Sequence, residues 1–154
     1  MNKASRAVIL FISQGAYAGR SPIAPGTAGT VVGVLFYLGI RGLSPGHYLA
    51  VCILVILAGM WAAGHAEIIL GRKDSPSIVI DEIAGFLTAM FMVPPGWFFV
   101  FSGFLLFRVF DILKPWPLRR LEGLHGGPGV MLDDVGAGVY TNIVLQIAAL
   151  LISR

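Results

Sequence analysis

The stretch IAGFLTAMFMVPPGWFFVFSGFLLF, residues 83–107, contains twenty-five consecutive uncharged residues and decides how the chain folds. A membrane-crossing helix needs about 20 apolar residues, so the stretch is long enough for one crossing. However, Pro94, Pro95 and Gly96 lie at its middle, and this combination breaks a helix because proline has no N–H donor. The stretch therefore forms either one kinked crossing or a tight hairpin of two helices.

The distribution of basic residues distinguishes these alternatives. A hairpin makes five crossings in all and places nine of the eleven Lys and Arg residues on one face of the membrane. The nine are Lys3, Arg6, Arg20, Arg72, Lys73, Arg108, Lys114, Arg119 and Arg120. Arg41 and Arg154 then lie on the opposite face, whereas a single crossing divides the basic residues between both faces. Because loops rich in Lys and Arg stay in the cytoplasm, we predict the hairpin, with this face cytoplasmic.

The composition of the whole chain is typical of an integral membrane protein. Of its 154 residues, 56% are hydrophobic and 12% are charged, about half the charged fraction of soluble domains. Residues 48–66 and 135–153 are each long enough and carry little enough charge to cross the membrane as a helix. Residues 28–40 are predicted to form a shorter crossing, whose first turn lies in the preceding loop. Residues 3–17 are expected to form a short interfacial helix. We therefore predict an all-α polytopic membrane helix bundle of about five transmembrane helices.

Several functions are disfavoured by what the sequence lacks. The net charge of +3 is not gathered into a basic patch with interleaved aromatic residues, so nucleic acid is not an expected partner. The single cysteine, Cys52, excludes a disulfide framework, and no arginine follows it at the spacing of a thiolate phosphatase loop. No D-x-D motif is present, which argues against an aspartyl-phosphate route. Metal-assisted attack by water, with a carboxylate as base, remains.

Two adjacent pairs of acids stand in front of apolar segments. They are Asp81 and Glu82 in SIVIDEIAGF, 77–86, and Asp133 and Asp134 in GVMLDDVGAG, 129–138. The predicted topology places both pairs on the cytoplasmic side, together with Asp111. Acids brought together repel one another, and Mg²⁺, which takes oxygen ligands, removes that repulsion. The alternative is that each pair only caps the N-terminus of a helix.

Basic residues and glycine-rich segments accompany these acids. Arg108, Asp111 and Lys114 are spaced three apart, so a continuous helix places them near one face, where the basic groups can bind phosphate oxygens. Arg119 and Arg120 are alternatively anchors for lipid headgroups. PGTAGT, 25–30, opens a helix and can cradle an anion, or is simply a turn. HGGPG, 125–129, is predicted to be a sharply bent loop whose histidine either moves a proton or only donates a hydrogen bond.

Three blocks of the sequence together resemble the phosphatidylglycerophosphatase A family of bacterial membrane phosphatases. They are GRSPIAPGTAGT (19–30), SIVIDEIAGF (77–86) and FRVFDILKPWPLRRLEGLHGGPGVMLDDVGAG (107–138). The likeness covers nearly the whole chain and implies one integral membrane domain, residues 1–154. It also implies Mg²⁺-dependent hydrolysis of phosphatidylglycerophosphate to phosphatidylglycerol and inorganic phosphate, in phospholipid synthesis at the bacterial inner membrane.

The resemblance further implies roles for individual residues. The family's D-E motif falls on Asp81 and Glu82, and its D-x-x-K-P-x-P motif falls on the segment with Asp111 and Lys114. Its paired acids fall on Asp133 and Asp134, and its P-G-T loop falls on Pro25, Gly26 and Thr27. With the residue chemistry above, the predicted catalytic residues are Asp81, Glu82, Asp133 and Asp134, and the predicted Mg²⁺ ligands are these four and Asp111. The predicted substrate-binding residues are Gly26, Thr27, Arg108, Lys114, Arg119 and His125.

Two other functions stay open at this point. One is a phosphatase of another lipid phosphate, such as phosphatidate, because the sequence does not identify contacts that select a glycerol headgroup. The other is a cation carrier or lipid-binding membrane protein. Carriers bind ions near the bilayer midplane on broken helices, whereas the midplane here is predicted to hold only Asn142 and Gln146, which are four apart and share one inward face.

Overall fold

Seven α-helices and one 3₁₀ turn make up most of residues 1–153, the part of the chain that this computed structural model describes. They are α1 Lys3–Ser13, the 3₁₀ turn Ala18–Arg20, α2 Pro25–Ile40, α3 Pro45–Leu70, α4 Ile80–Ala89, α5 Trp97–Leu113, α6 Leu118–Glu122 and α7 Gly127–Ile152. No strand occurs within these residues, so the all-α prediction is confirmed for them. Arg154, which we placed opposite the cytoplasmic face, lies outside the described residues, as does the side chain of Glu122.

The stretch that decides the fold is broken into two helices, as the prolines predict. Helix α4 ends at Ala89, and α5 begins at Trp97 after a bend that contains Met92 at φ +55° and Gly96 at φ +155°. However, α4 has only 10 residues, which make about 15 Å of helix, half the thickness of a hydrocarbon core. The hairpin is therefore confirmed as two helices, but its first helix is too short to cross a bilayer by itself.

Two helices, α3 and α7, are long and apolar enough to cross a membrane by length and composition. Helix α2 is apolar but shorter, at 16 residues, and it begins at Pro25, inside the preceding loop as predicted. The predicted count of five transmembrane helices therefore remains a prediction. The N-terminal helix is shorter than predicted, because Gly15, Ala16 and Tyr17 all adopt positive φ angles that end it.

Helix α4 lies at the centre of the bundle. It packs against α2, α3, α5 and α7, and the side chains of Phe86 and Leu87 are fully buried. Gly138 on α7 allows a close approach, since a Cβ at that position would overlap the carbonyl oxygen of Gly85. By contrast, the outer faces of α3, α5 and α7 expose large apolar side chains, among them Leu54, Leu57, Phe101, Leu105, Ile147 and Leu150. Such a surface is suited to lipid rather than to water.

Amide side chains from α7 satisfy the backbone where α4 ends. Asn142 Nδ2 donates hydrogen bonds to the carbonyl oxygens of Ala89, at 2.9 Å, and Phe91, at 2.7 Å. Gln146 Nε2 donates to the same Phe91 oxygen at 3.2 Å. A broken helix inside a membrane protein is tolerated only when its freed backbone groups find partners. The predicted inward face of Asn142 and Gln146 is confirmed, and its role is to complete the end of α4.

Replacing Asn142 should therefore destabilise the fold. In Asn142→Leu the Ala89 carbonyl loses its amide donor and the Phe91 carbonyl keeps only Gln146, which should lower the free energy of unfolding by about 1–3 kcal/mol. The measurement is the thermal unfolding midpoint in detergent, followed by circular dichroism. Gln146→Leu is the matched control and should lose less, because it removes one long bond to an oxygen that Asn142 also binds. An unchanged midpoint in Asn142→Leu would contradict this role.

Candidate active site

The ends of four helices surround one cavity of about 540 Å³. Helices α2, α4 and α7 begin at this end of the bundle, and α5 ends there, so their functional residues converge although they are far apart in sequence. The predicted site residues that line the cavity are Gly26, Asp81, Glu82, Arg108, Asp111, Lys114, Asp133 and Asp134. Thr27, Arg119 and His125 are not among the lining residues, and their role in substrate binding stays a prediction.

Three carboxylates form a cluster at the centre of the cavity. Asp81, Glu82 and Asp134 each provide one oxygen, and these oxygens lie within 4.8 Å of one another. Asp81 and Asp134 are buried, with 9% and 3% of their surface exposed. Asp81 Oδ1, Glu82 Oε2 and Asp133 Oδ1 are buried without a hydrogen-bond partner among the described residues. Oxygens of this kind are the ligands that hard divalent cations prefer.

Neither acid pair occupies the N-cap position of its helix, although Asp81 and Glu82 lie in the first turn of α4, where negative charge favours the helix dipole. The residue that caps α4 is Val79, and the one that caps α7 is Gly126; neither makes a side-chain capping hydrogen bond. Asp133 and Asp134 also lie well inside α7, which begins at Gly127. The prediction that HGGPG is entirely a bent loop is wrong for its last three residues, since Pro128 is tolerated in a first helical turn. Only Gly126, at φ +68°, makes the sharp bend.

Two basic side chains neutralise part of this negative charge. Arg108 Nη1 lies 2.7 Å from Asp111 Oδ2 and 3.8 Å from Glu82 Oε1, which confirms that Arg108 and Asp111 share a face of α5. Lys114 Nζ forms an ion pair with Asp133 Oδ2. Lys114 also ends α5, because its backbone turns to φ +43°. Both cations are thus held beside the carboxylate cluster and face the cavity.

The first turn of α2 forms the wall beside Arg108. The PGTAGT segment is helical from Pro25 onward, so its first N–H groups are those left free at a helix N-terminus. A Cβ at Gly26 would overlap Glu82 Oε1 and would lie 3.1 Å from Arg108 Nη2. A side chain at this position would therefore push the ends of Glu82 and Arg108 away from the wall that α2 forms.

One part of the site was missed by sequence reasoning. The loop between α3 and α4 contributes Lys73, Asp74, Ser75 and Pro76 to the cavity wall. We had considered Lys73 only as one of the basic residues of the cytoplasmic face. The sequence feature that could have indicated a place for Lys73 in the site is its position shortly before the first acid pair, in KDSPSIVIDE, 73–82.

Comparison with known proteins identifies the family of the chain. The family model described as phosphatidylglycerophosphatase A matches residues 11–149. The chain belongs to the phosphatidylglycerophosphatase A family. Two proteins named phosphatidylglycerophosphatase A, from Escherichia coli and Haemophilus influenzae, are 37% and 38% identical over 82% and 79% of the chain and 75% and 77% of their own lengths.

Another relative has a different name. A protein of Bacteroides thetaiotaomicron named putative phosphatidylinositol-3-phosphatase is 39% identical over 90% of the chain and 92% of its own length. No solved structure matches the chain. The resemblance to the phosphatidylglycerophosphatase A family that we drew from three sequence blocks is thus confirmed.

The packing of Gly26 predicts different effects for two glycines of the same helix. Gly26→Ala should be less stable than Gly39→Ala by about 1 kcal/mol, because the new methyl group forces the ends of the Glu82 and Arg108 side chains to move. Gly39→Ala is the matched control: nothing lies within 4 Å of its Cβ position, and alanine is favoured over glycine in a helix by up to about 1 kcal/mol. Thermal unfolding of both purified variants checks the difference. Equal midpoints would contradict the close approach.

Proposed function

We propose that this member of the phosphatidylglycerophosphatase A family hydrolyses phosphatidylglycerophosphate to phosphatidylglycerol and inorganic phosphate. The observation that carries the proposal is the convergence of both acid pairs with Arg108 and Lys114 in one cavity. A phosphate monoester requires its negative charge to be offset, and it requires a water molecule to be activated beside it. The cavity contains side chains for both tasks.

The carboxylate cluster fits a divalent cation such as Mg²⁺. Its oxygens come from Asp81, Glu82 and Asp134, which lie close enough together to share one ion, and two of these acids have a buried oxygen without a hydrogen-bond partner among the described residues. Asp133 and Asp111 line the same cavity and complete the proposed set of ligands. When bound, Mg²⁺ polarises a phosphoryl oxygen and lowers the pKa of a bound water.

The remaining side chains position the phosphate. Asp111 orients Arg108 and Asp133 orients Lys114, so that both basic groups face the cavity, where a guanidinium and an ammonium can bind phosphate oxygens. The free N–H groups of Gly26 and Thr27, at the N-terminus of α2, add further donors for an anion. A phosphate held in this way exposes the face opposite its leaving oxygen to the carboxylates.

The chemical step is then an attack by water on phosphorus. One carboxylate of the cluster accepts a proton from the water as the new P–O bond forms. The bond between phosphorus and the glycerol oxygen breaks, and the leaving oxygen takes a proton from solvent. Inorganic phosphate leaves into the water, while phosphatidylglycerol stays in the bilayer through its acyl chains.

We also propose that the chain crosses the inner membrane five times, with the short α4 and the bend after it together making one crossing, and with the cavity at the cytoplasmic face. Support comes from the directions of the helices: α2, α4 and α7 begin at the cavity, while α3 and α5 end near it. The basic residues Lys73, Arg108 and Lys114 line the cavity, as expected for the cytoplasmic side. Asp81, Glu82 and Asp111 lie at the ends of their helices, and Asp133 and Asp134 lie in the first third of α7 rather than at its middle, which favours chemistry on a headgroup over transport of an ion.

A second substrate is favoured by one specific observation. The relative named putative phosphatidylinositol-3-phosphatase is as similar to the chain as those named phosphatidylglycerophosphatase A. Phosphatidylinositol 3-phosphate also carries a phosphate monoester on a polyol, and the polyol is joined to the lipid by a phosphodiester. Phosphatidate, by contrast, carries only the monoester.

Phosphate release from defined lipids tests the proposed function. Purified protein in mixed micelles is incubated with phosphatidylglycerophosphate, phosphatidylinositol 3-phosphate or phosphatidate, with Mg²⁺ or with excess chelator. We expect rapid release from phosphatidylglycerophosphate, loss of that release with chelator, and recovery when Mg²⁺ is restored. No release from any lipid would remove the phosphatase proposal, and preference for the inositol lipid would replace the substrate.

Single changes at the carboxylate cluster test the proposed ligands. Asp81→Asn and Asp134→Asn should each reduce phosphate release by roughly a hundredfold or more, because the amide neither balances the cation's charge nor accepts a proton. Their unfolding midpoints without Mg²⁺ should equal or exceed that of the unchanged protein, since each removes repulsion between buried carboxylates. Near-normal turnover in either variant would contradict its role, and a large fall in stability would attribute the loss to misfolding.

A further inference from the structure

Three basic side chains line the cavity, and one of them differs from the other two. Arg108 is held by Asp111 and Glu82, and Lys114 by Asp133. Lys73 has no ion-pair partner among the described side chains of residues 1–153, and it is exposed at the mouth of the cavity. No described side chain therefore neutralises its positive charge, although Lys73 lines the same cavity as the proposed catalytic residues.

The loop that carries Lys73 is held in place by several hydrogen bonds. The N–H of Asp74 donates to Glu67 Oε1 at 2.7 Å, which holds Asp74 at φ +47°. The Oγ atoms of Ser75 and Ser77 lie 3.1 Å apart, and Gln14 Nε2 donates to Ser77 Oγ at 3.3 Å. Lys73 is thus presented by an anchored segment between the end of α3 and the start of α4.

The exposure of Lys73 indicates what it can bind. Lys73 is exposed, whereas Asp81 and Asp134 of the same cavity are buried. A substrate that has two phosphates and places its terminal phosphate at the buried carboxylates keeps its second phosphate outside that buried cluster. The exposed part of the cavity wall, which carries Lys73 just beyond the end of α3, is available to this second phosphate.

We propose that Lys73 binds the internal phosphodiester of the substrate and thereby selects it against phosphatidate. This inference rests on the proposed function, because it assigns a second contact to the same substrate. A lysine ammonium and a phosphodiester form a charge-assisted hydrogen bond, and phosphatidate has no second phosphate to make it. The same contact is available to phosphatidylinositol 3-phosphate, so one lysine serves both substrate names found among the relatives.

The test compares two neighbouring cations of the same loop. Lys73→Gln should raise the KM for phosphatidylglycerophosphate by roughly tenfold and leave kcat within about twofold. Its hydrolysis of phosphatidate should not change, and Lys73→Arg should restore most of the affinity. Arg72→Gln is the matched control: it removes the same charge from an exposed residue that does not line the cavity, and it should leave the KM unchanged.

A second measurement uses the reaction product. Phosphatidylglycerol retains the phosphodiester but lacks the monoester, so it should inhibit phosphatidate hydrolysis by the unchanged protein and inhibit Lys73→Gln several-fold less. Equal losses on both lipids would overturn the proposal, because Lys73 would then act on the monoester. An equal effect of Arg72→Gln would also overturn it and assign the effect to overall surface charge. An unaltered KM in Lys73→Gln overturns it directly.

Failure of the proposed function is recognised separately from failure of this inference. The unchanged protein is assayed first, and its release of phosphate from phosphatidylglycerophosphate decides the function. If it acts on phosphatidylinositol 3-phosphate instead, the Lys73→Gln comparison is made with that lipid, which also has a phosphodiester. If it acts only on phosphatidate, both the function and the inference are wrong.

Discussion

Repulsion between carboxylates held close together in a buried place is the constraint on which this structure depends. Asp81, Glu82 and Asp134 bring their oxygens within 4.8 Å of one another, and Asp81 and Glu82 each have a buried oxygen without a hydrogen-bond partner among the described residues. Such groups are costly unless positive charge accompanies them. Arg108 and Lys114 offset part of the charge. The remaining negative charge is suited to a divalent cation and its phosphate ligand. The same carboxylates therefore determine both the proposed chemistry and the packing around the cavity.

The short central helix explains how acids reach this position within an apolar bundle. Helix α4 begins at the cavity, is buried along most of its length, and ends after 10 residues. Ending a helix inside the bundle leaves carbonyl groups without partners, and Asn142 and Gln146 of α7 provide them. Helix α7 therefore contacts α4 at both ends. Asp134 lies beside Asp81 at the cavity, and the amide groups of Asn142 and Gln146 bind the backbone where α4 ends.

The features that were predicted correctly from the sequence depend on residues close together in the chain. The break at Pro94 and Pro95 was predicted correctly because proline acts on its own helical turn. The placement of Arg108 and Asp111 on one face of a helix was also predicted, since helical spacing alone brings them together, whereas the helix ends before Lys114. The start of α7 was placed too late in the chain, because a segment rich in glycine and proline was taken for a loop. Lys73 was missed because its relation to the cavity depends on the fold of a loop.

The sequence by itself determined the all-α class, the break at Pro94 and Pro95, and most of the charged residues that line the cavity. These follow from hydropathy, proline and charge, which act over a few residues. Only the tertiary structure decided which oxygens meet, that Gly26 lies against the ends of the Glu82 and Arg108 side chains, and that Lys73 lines the cavity while having no ion-pair partner among the described side chains. The reason is that distances between residues far apart in the chain depend on how the helices pack.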